Sequence, residues 1–284
     1  MSKIDRLQNN YNYFRGLTRY ILLPMEKRIL IKKNSLFMNA HKNERCFILG
    51  NGPSTNSQDL SKLHDETVFC VNEFVRNKDI QIVNPDYYVL ADPKFFDMKS
   101  DNKGDMELIN KFQIAFQSFP ELKLFVPIEA REVIQKYKWT VNTYYYFSGV
   151  PFEKFQCKKI DLSKTIPSMQ AVVQYAILIA IYMGFKEIYL LGTEQTNIFG
   201  NIKAYIEKNA ASEYSFEMNE EEKKWKNKKL TSYSLSETLR GYARIFELYS
   251  ELYIYCKSMG IGLYNCAPET LIQDISKVNY EDLF

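Results

Sequence analysis

Short apolar runs recur along the chain from residue 45 onwards, each one bounded by polar or turn-forming residues. Runs of this kind are typical of the inner strands of a parallel sheet, which are buried on both faces. The pattern predicts seven strands, at Cys46–Leu49, Val68–Val71, Tyr87–Leu90, Leu122–Val126, Tyr144–Phe147, Glu187–Leu191 and Gly262–Asn265.

Segments with helical spacing lie between these strands, at about 106–118, 129–138, 168–184 and 236–259. The strongest is SMQAVVQYAILIAIYMG, which is apolar on nearly every face and ends at Gly184, so it predicts a central buried helix. Strands that alternate with helices indicate a mostly parallel, doubly wound α/β sheet with right-handed crossovers. We therefore predict a Rossmann-like domain over residues 45–284.

Residues 1–44 follow a different pattern. The stretch YNYFRGLTRYILLPMEKRILIKKNSLF mixes apolar side chains with basic ones and predicts an amphipathic helical arm broken at Pro24. Two interpretations remain open. The arm either rests on an anionic bilayer surface, or packs on the domain or on a second subunit. The basic residues are Arg15, Arg19, Lys27, Arg28, Lys32 and Lys33.

Residues 200–232 form a polar insertion in which a block of Glu is followed by a block of Lys. The segment is too long for an ordinary connection within an α/β domain. It is either a lid over a site, a disordered insertion or a solvated surface loop. A lid would suit an enzyme that must keep water from an activated donor.

Composition narrows the function classes. The net charge of +3 over 284 residues gives no reason to expect nucleic-acid binding. Five cysteines without a CxxC pair indicate reduced thiols in a cytoplasmic protein. No run of 18 apolar residues and no signal pattern is present, so we expect neither a membrane span nor export by that route.

Small and polar residues follow several of the predicted strands. In an open α/β sheet, ligands bind outside the carboxyl ends of the strands, so these residues are candidates for one site. The amides suit phosphate, ribose or a base edge, and we expect the glycines to allow unusual backbone angles and close ligand approach. The candidates are Gly50, Asn51 and Gly52 after the first strand, Asn72 after the second, Asp92 after the third, and Gly192, Thr193 and Glu194 after the sixth.

Two serines extend this candidate nucleotide site. Ser54 follows the first glycine turn, where backbone N–H groups and a capping hydroxyl would face an anion. Ser168 stands at the start of the predicted central helix, whose dipole would add to the attraction. No DxD pair occurs at the strand ends, so the sequence predicts a site that needs no metal or other cofactor.

Several blocks resemble the bacterial sialyltransferases of glycosyltransferase family 42, the Campylobacter lipooligosaccharide type. They are ILGNGPS, VFCVNEF, DPKFF, TIPSMQAVVQYAILIAIYMGFKEIYLLGTE and LYNCAPETLI, which span roughly residues 45–275 in the family's order. The chain is also similar to the wider MptE-like group, whose namesake is a pterin diphosphokinase and whose other members accompany surface-glycan synthesis.

The family-42 resemblance implies a single Rossmann-like domain, a GT-A variant, with a lid. It implies metal-independent, inverting transfer of a sialic-acid-like sugar from a CMP-linked donor. Asn51, Gly52 and Ser54 would then face the donor nucleotide, Asn72 would reach it, and Ser168 would approach the donor. The resemblance places residues 192–194 by the cytidine or ribose, and Tyr205 approximately where family members hold the departing phosphate.

The chain departs from the family at two places. Glu194 stands where the family has Asp, and the segment LTSYSLSETLRGY after the lid lacks the histidine that serves as general base. His41 and His64 lie far upstream and are not assigned that role. Glu237, Tyr233 and Glu194 are the candidate replacements, with Glu237 preferred; its alternative role is a first-turn carboxylate that stabilises the following helix.

The leading hypothesis is a cytoplasmic glycosyltransferase of bacterial surface-glycan synthesis, peripheral on the inner face of the membrane, with a glycan or lipid-linked glycan as acceptor. The alternatives are an MptE-like nucleotide-dependent diphosphokinase and a catalytically silent partner in a glycan-assembly complex. The sequence leaves a homo-oligomer open.

Overall fold

Nine parallel strands form one sheet in the computed structural model, which describes residues 3–99, 102–139, 141–152, 159–207 and 213–284. The central strands are short apolar runs, as buried parallel strands require. The strands are β1 (Arg45–Leu49), β2 (Thr67–Val71), β3 (Tyr87–Val89), β4 (Lys123–Pro127), β5 (Asn142–Val150), β6 (Thr165–Pro167), β7 (Glu187–Leu191), β8 (Gly262–Asn265) and β9 (Ser276–Lys277).

The helices of the described residues connect these strands or precede them. They are α1 (Lys3–Ile21), α2 (Met25–Lys32), α3 (Ile80–Val83), α4 (Lys103–Ser118), α5 (Arg131–Tyr137), α6 (Val172–Met183), α7 (Asn197–Lys203), α8 (Glu220–Leu230) and α9 (Leu235–Ser258). None of them is both long and apolar enough to cross a membrane.

The strand order is β6-β5-β4-β3-β2-β1-β7-β8-β9. The chain starts in the middle at β1 and runs outwards to β6. It then crosses back through α6 and continues on the other side of β1 with β7. Leu49 at the end of β1 is therefore paired with both Cys70 of β2 and Leu191 of β7. The order reverses between β1 and β7, which is where doubly wound sheets bind ligands.

Apolar layers cover both faces of the sheet. Cys46 and Ile48 of β1 point into a core shared with α6 and α9, whereas Phe47 and Leu49 point into the opposite core with α4. This alternation follows from the two-residue period of a strand. The structure thus confirms the predicted α/β, doubly wound class.

All seven predicted strands are present, and the sequence missed two more. The missed strands are short: β6 has three residues and ends at Pro167, and β9 has two exposed residues. The central helix begins at Val172 rather than at residue 168, so its predicted start is wrong. The buried Gln174 fixes the start, because its Oε1 accepts from the backbone N–H groups of Gln170 and Ala171, each at 3.1 Å.

The polar insertion contains ordered helices. Residues 200–232 include the end of α7 and all of α8, and residues 208–212 lie outside the described part of the chain. Cys46, Cys70, Cys256 and Cys266 are buried free thiols, whereas the fifth cysteine, Cys157, also lies outside the described part.

The N-terminal arm packs along β5 and breaks where Pro24 separates α1 from α2. Gly16 lies directly on the strand: a Cβ at this position would stand 2.0 Å from the carbonyl oxygen of Gly149. Further on, the buried Asn34 donates from Nδ2 to the carbonyls of Tyr145, at 2.8 Å, and Leu162, at 3.1 Å. The arm is therefore part of the domain's packing, while its outward face stays exposed.

We expect Gly16→Ala to destabilise the protein, although alanine is the better helix former by about 1 kcal/mol. The added methyl overlaps the backbone of Gly149, and such overpacking costs about 1–3 kcal/mol. Gly241→Ala is the matched control, because Gly241 also lies within a helix and a methyl group added there would meet no atom within 4 Å. Denaturant unfolding should show a loss for the first variant and none for the second; equal stabilities would contradict the close packing of the arm.

Candidate functional site

The turns that follow β1 and β7 interlock through their backbones. Gly50 donates its N–H to the carbonyl of Leu191 at 2.8 Å, and Gly52 donates to the carbonyl of Gly192 at 2.9 Å. A Cβ at Gly50 would stand 2.3 Å from the Gly192 carbonyl oxygen. These two turns therefore form the floor of the switch point.

The glycines of the first turn are needed for this close approach rather than for unusual dihedral angles. Gly52 has φ −72° and ψ 153°, which any residue adopts, so the expected backbone freedom at Gly50 and Gly52 is wrong. Gly192 does have a left-handed φ of 59°. A side chain there would also meet Thr55 and Gly50 at 2.8 Å.

Glu194 occupies the position at which the sequence suggested an external anion. Its Oε1 accepts from the backbone N–H of Ser54 at 2.8 Å, and the residue is only 3% exposed. Gly52 makes room for it, since a Cβ there would stand 1.4 Å from Oε2. The N–H group of Ser54 is thus used by the protein's own carboxylate, and this turn does not offer it to a phosphate.

A cavity of about 670 Å³ opens above the carboxyl ends of the central strands. Its walls come from the loops after β1, β2, β3, β6 and β7, from the inner face of α9 and from residues 213 and 214 of the insertion. Of the sequence-predicted residues, it brings together Gly50, Asn51, Gly52, Asn72, Asp92, Gly192, Thr193 and Glu194.

Three buried acceptor atoms at this cavity have no hydrogen-bond partner among the described residues: Oδ1 of Asn51, Oδ1 of Asn72 and Oε2 of Glu194. The Asn51 amide is held in place because its Nδ2 donates to the Val71 carbonyl at 3.2 Å. A buried acceptor without a partner is costly and marks a place where a ligand donor fits. This part of the cavity suits hydroxyl or amino groups.

Asp92 and Thr193 line the same cavity and also support its walls. Asp92 Oδ1 accepts from the backbone N–H of Lys94 at 2.9 Å and so caps the turn after β3. Thr193 is buried, and its hydroxyl donates to the Leu191 carbonyl at 3.2 Å. Both residues are therefore fixed at the sheet edge before any ligand enters.

Besides Ser54, four predicted residues do not line the cavity. Ser168 is exposed and lies four residues before α6 begins. Glu237 accepts from the Ser234 hydroxyl at 2.7 Å and from the Ser234 N–H at 2.8 Å in a capping box at the start of α9, and these two bonds lower the pKa of its exposed carboxyl. The preferred base is thus placed as a helix cap. Tyr233 is 55% exposed, and Tyr205 bonds through its hydroxyl to Thr238 Oγ1 at 2.6 Å.

The cavity also contains residues that do not follow a strand and were not predicted from the sequence. Tyr242 and Ile245 project from α9 into the cavity, three residues apart on one helix face. The Tyr242 hydroxyl accepts from Nδ2 of Asn197 at 3.0 Å, and burial raises its pKa to about 12, so it stays protonated. The signal available in the sequence was the apolar stripe of α9, which does not distinguish a core residue from a cavity residue.

The insertion is seated over the cavity by specific contacts. Ser215 donates its N–H to the Asn51 carbonyl at 2.9 Å, which ties the insertion to the first glycine turn. Arg76, after β2, pairs with Glu222 of α8 at 2.9 Å and donates to the Glu217 carbonyl at 2.7 Å. Its guanidinium also lies 4.4 Å from the ring centre of Phe216. These contacts anchor residues 213–230, part of the predicted lid, beside the cavity.

In the described residues, no three or more His, Cys, Asp or Glu side chains converge as a metal site would require. The carboxylates on the cavity wall are Asp92, Glu194 and Glu213. Among the residues that the structure describes, no Lys or Arg lines the cavity. The cavity wall is therefore acidic.

No protein-family model and no curated protein matches this chain. Solved structures do resemble it. Two are of the sialyltransferase CstII from Campylobacter jejuni: the complex with cytidine-5'-monophosphate is 18% identical, covers 84% of this chain and 85% of its own, and has a TM-score of 0.44. The complex with CMP-3FNeuAc is 20% identical, with coverages of 83% and 86% and a TM-score of 0.47. The MAf glycosyltransferase from Magnetospirillum magneticum AMB-1 is 11% identical and has a TM-score of 0.47, and the match covers 90% of this chain but 39% of that one.

We expect Gly52→Ala to lower stability by about 1–3 kcal/mol, because the methyl overlaps the Glu194 carboxylate. When Gly52→Ala is combined with Glu194→Ala, the loss of unfolding free energy should be smaller than the sum of the two single losses by about 0.5–3 kcal/mol. A double-mutant cycle by denaturant unfolding measures this coupling. Strict additivity would show that Gly52 and Glu194 do not share the space.

Proposed function

We propose that this protein is a glycosyltransferase of bacterial surface-glycan synthesis that transfers a sialic-acid-like sugar from a CMP-linked donor without a metal ion. The observation that carries the proposal is the set of unpartnered acceptors on Asn51, Asn72 and Glu194 at the switch point of the sheet. Their position is where doubly wound sheets hold nucleotides.

A cytidine nucleotide supplies what these acceptors lack. Its exocyclic amine donates two hydrogens and its ribose carries two hydroxyl donors, so a nucleoside seated at the floor would complete the hydrogen bonding of buried groups. The family-42 resemblance as a whole, rather than the glycine turn that the MptE-like group shares, supports cytidine among the nucleosides with an amine. The lid would exclude water from the activated sugar.

In the proposed reaction, a hydroxyl of the glycan acceptor attacks the anomeric carbon while the bond to the phosphate oxygen breaks. The electron pair leaves with CMP, and the hydroxyl proton passes to a base. Of the candidates from the sequence, Glu194 alone lines the cavity, and it is fixed to Ser54. In the proposed reaction the base is therefore one of the cavity carboxylates, Asp92, Glu194 or Glu213, rather than Glu237.

Two other functions make different predictions. A diphosphokinase would bind ATP or GTP with Mg²⁺ in place of CMP. A silent assembly partner would bind a nucleotide or a glycan without turnover, which the absence of a histidine after the lid motivates.

We expect CMP to stabilise the protein in the absence of divalent metal, and we expect Asn51→Ala to abolish most of that effect. The substitution removes an acceptor from the cavity floor, and a lost buried hydrogen bond costs about 1–3 kcal/mol, or roughly 5- to 150-fold in affinity. Titration calorimetry measures the CMP affinity of both proteins. Glu237→Gln is the control and should keep the CMP affinity, because Gln also completes the capping box at the exposed helix start.

Stabilisation by ATP or GTP with Mg²⁺, without any by CMP, would replace this function with the diphosphokinase. Binding of CMP without turnover of a CMP-sugar, even by slow hydrolysis, would instead favour the silent partner.

We further propose that the outward face of the arm binds an anionic bilayer, which would bring the enzyme to a lipid-linked acceptor. One face of α1 packs on β5, while the opposite face exposes an apolar row whose first four members follow at intervals of three or four residues; its fifth member lies seven residues further on and its sixth just past the helix end. Arg15 and Arg19 border that row, and basic residues near an anionic surface contribute about 1 kcal/mol each. The exposed row consists of Ile4, Leu7, Tyr11, Phe14, Ile21 and Leu22.

We expect the protein to sediment with phosphatidylglycerol vesicles and Leu7→Ser with Phe14→Ser to reduce this binding at least about tenfold, since burial of apolar side chains drives it. Ile114→Ser, at a comparably exposed position on α4, is the control and should bind as the unmodified protein does. Equal binding of all three proteins would overturn the proposal. A change in oligomeric state without a change in sedimentation would assign the row to contact with a second copy.

A further inference from the structure

The acidic cavity wall leaves the phosphate of a nucleotide without a charge partner. The carboxylates of Asp92, Glu194 and Glu213 line the cavity, and none of its described lining residues is Lys or Arg. A phosphate group in contact with protein is ordinarily met by cationic donors. The cation must therefore come from a residue beside the wall.

Three cations stand near the Asp92 side of the cavity, and two of them are already paired. Lys94 forms an ion pair with Glu73. Arg76 is bound to Glu73 at 3.2 Å and to Glu222 at 2.9 Å. These two side chains hold the loop after β2 and the lid, so their charges are largely balanced by carboxylates.

Lys226 is the third cation, and its surroundings differ. It belongs to α8 of the lid, and within the described residues it makes no ion pair with a carboxylate. Its Nζ lies 3.9 Å from the ring centre of Tyr214 and donates a hydrogen bond to the Tyr214 hydroxyl. Tyr214 itself lines the cavity, so the ammonium group is bonded to a phenol of the cavity wall.

The geometry points to Lys226 and Tyr214 as a phosphate subsite carried by the lid, which neutralises the phosphate of the nucleotide whose nucleoside lies on the floor. The ammonium supplies a charge and the phenol a second donor. This assignment rests on the proposed nucleotide-sugar function and adds to it the residues that recognise the phosphate.

The lowered pKa of the Lys226 ammonium group is consistent with a site that binds an anion. Burial, followed by the positive charge of Lys94, lowers its pKa to about 8, against the opposing effect of Glu73 and Asp92. A phosphate bound beside the ammonium would raise that pKa, so the two pKa values differ between the free and bound states. The nucleotide affinity is therefore at its full value below about pH 8 and falls as the pH rises through that value. In this range Lys226 loses its proton in the ligand-free protein but keeps it in the complex.

The test compares CMP with cytidine, which lacks the phosphate, by titration calorimetry. We expect Lys226→Met to lower the affinity for CMP about 10- to 100-fold, as for loss of a charged hydrogen bond, and to leave cytidine binding unchanged. Lys226→Arg should retain CMP binding and should keep it between about pH 8 and pH 9.5, where the unmodified protein loses it, because arginine stays protonated.

Lys228→Met is the matched control, since Lys228 is exposed on the same helix and should leave both affinities unchanged. Thermal unfolding tests folding: Lys226→Met should be at least as stable as the unmodified protein without ligand, because it removes a charge repelled by Lys94. An unchanged ratio of CMP to cytidine affinity in Lys226→Met would overturn the subsite.

Failure of the proposed CMP-linked donor can be distinguished from failure of the phosphate subsite. If CMP does not bind the unmodified protein, the same variants are titrated with ATP or GTP and Mg²⁺. A loss of nucleotide binding in Lys226→Met alone would retain the phosphate subsite while the cytidine assignment fails, and no loss would reject both.

Discussion

The contact between the turns after β1 and β7 is the constraint on which the rest of the site depends. Parallel pairing brings Leu49 beside Leu191, and the two chains then continue as glycine turns whose backbones touch. A side chain at Gly50 would force the turns apart. Because β1 and β7 lie on opposite sides of the reversal in strand order, this contact fixes the two loops at the centre of the cavity floor relative to each other.

Glu194 completes that contact and also changes its chemistry. A strand-to-helix turn with free N–H groups usually suits an anion, and here a carboxylate of the same chain satisfies the Ser54 N–H. One oxygen of that carboxylate is thereby bound, while the other remains as an acceptor at the cavity. The floor consequently suits donors such as ribose hydroxyls or a base amine. In the proposed complex the phosphate would have to be bound elsewhere, and Lys226 of the insertion is the cation proposed for it.

The strands and the residues that follow them could be predicted because burial on both faces leaves a clear apolar run, and parallel strands deliver their carboxyl ends to one edge. Asn51, Asn72, Asp92 and Glu194 are predictable in this way, and the cavity unites them. The helix ends were harder to predict. Whether Glu237 faces a cavity or caps a helix depends on the direction in which α9 enters, and the same residue type suits both. The expected place of Ser168 is wrong because Gln174, inside the apolar pattern, sets the helix start.

Residues reached only through tertiary packing could not be predicted at all. Tyr242 and Tyr214 come from α9 and the lid, and their pattern in the sequence is that of ordinary amphipathic or polar segments. Their arrangement nonetheless gives the site two parts with different chemistry: a floor of acceptors on the sheet, and on the insertion the Tyr214 phenol with the Lys226 ammonium bonded to it. A ligand that joins a nucleoside to a phosphate would contact both parts at once. Its binding would therefore stabilise the contact of the insertion with the sheet by as much as its phosphate binds Lys226, because a ligand shifts a conformational equilibrium only by its differential affinity for the two states. Cytidine alone would lack that contribution, so under the proposal the phosphate contact and the position of the insertion would depend on the same interaction.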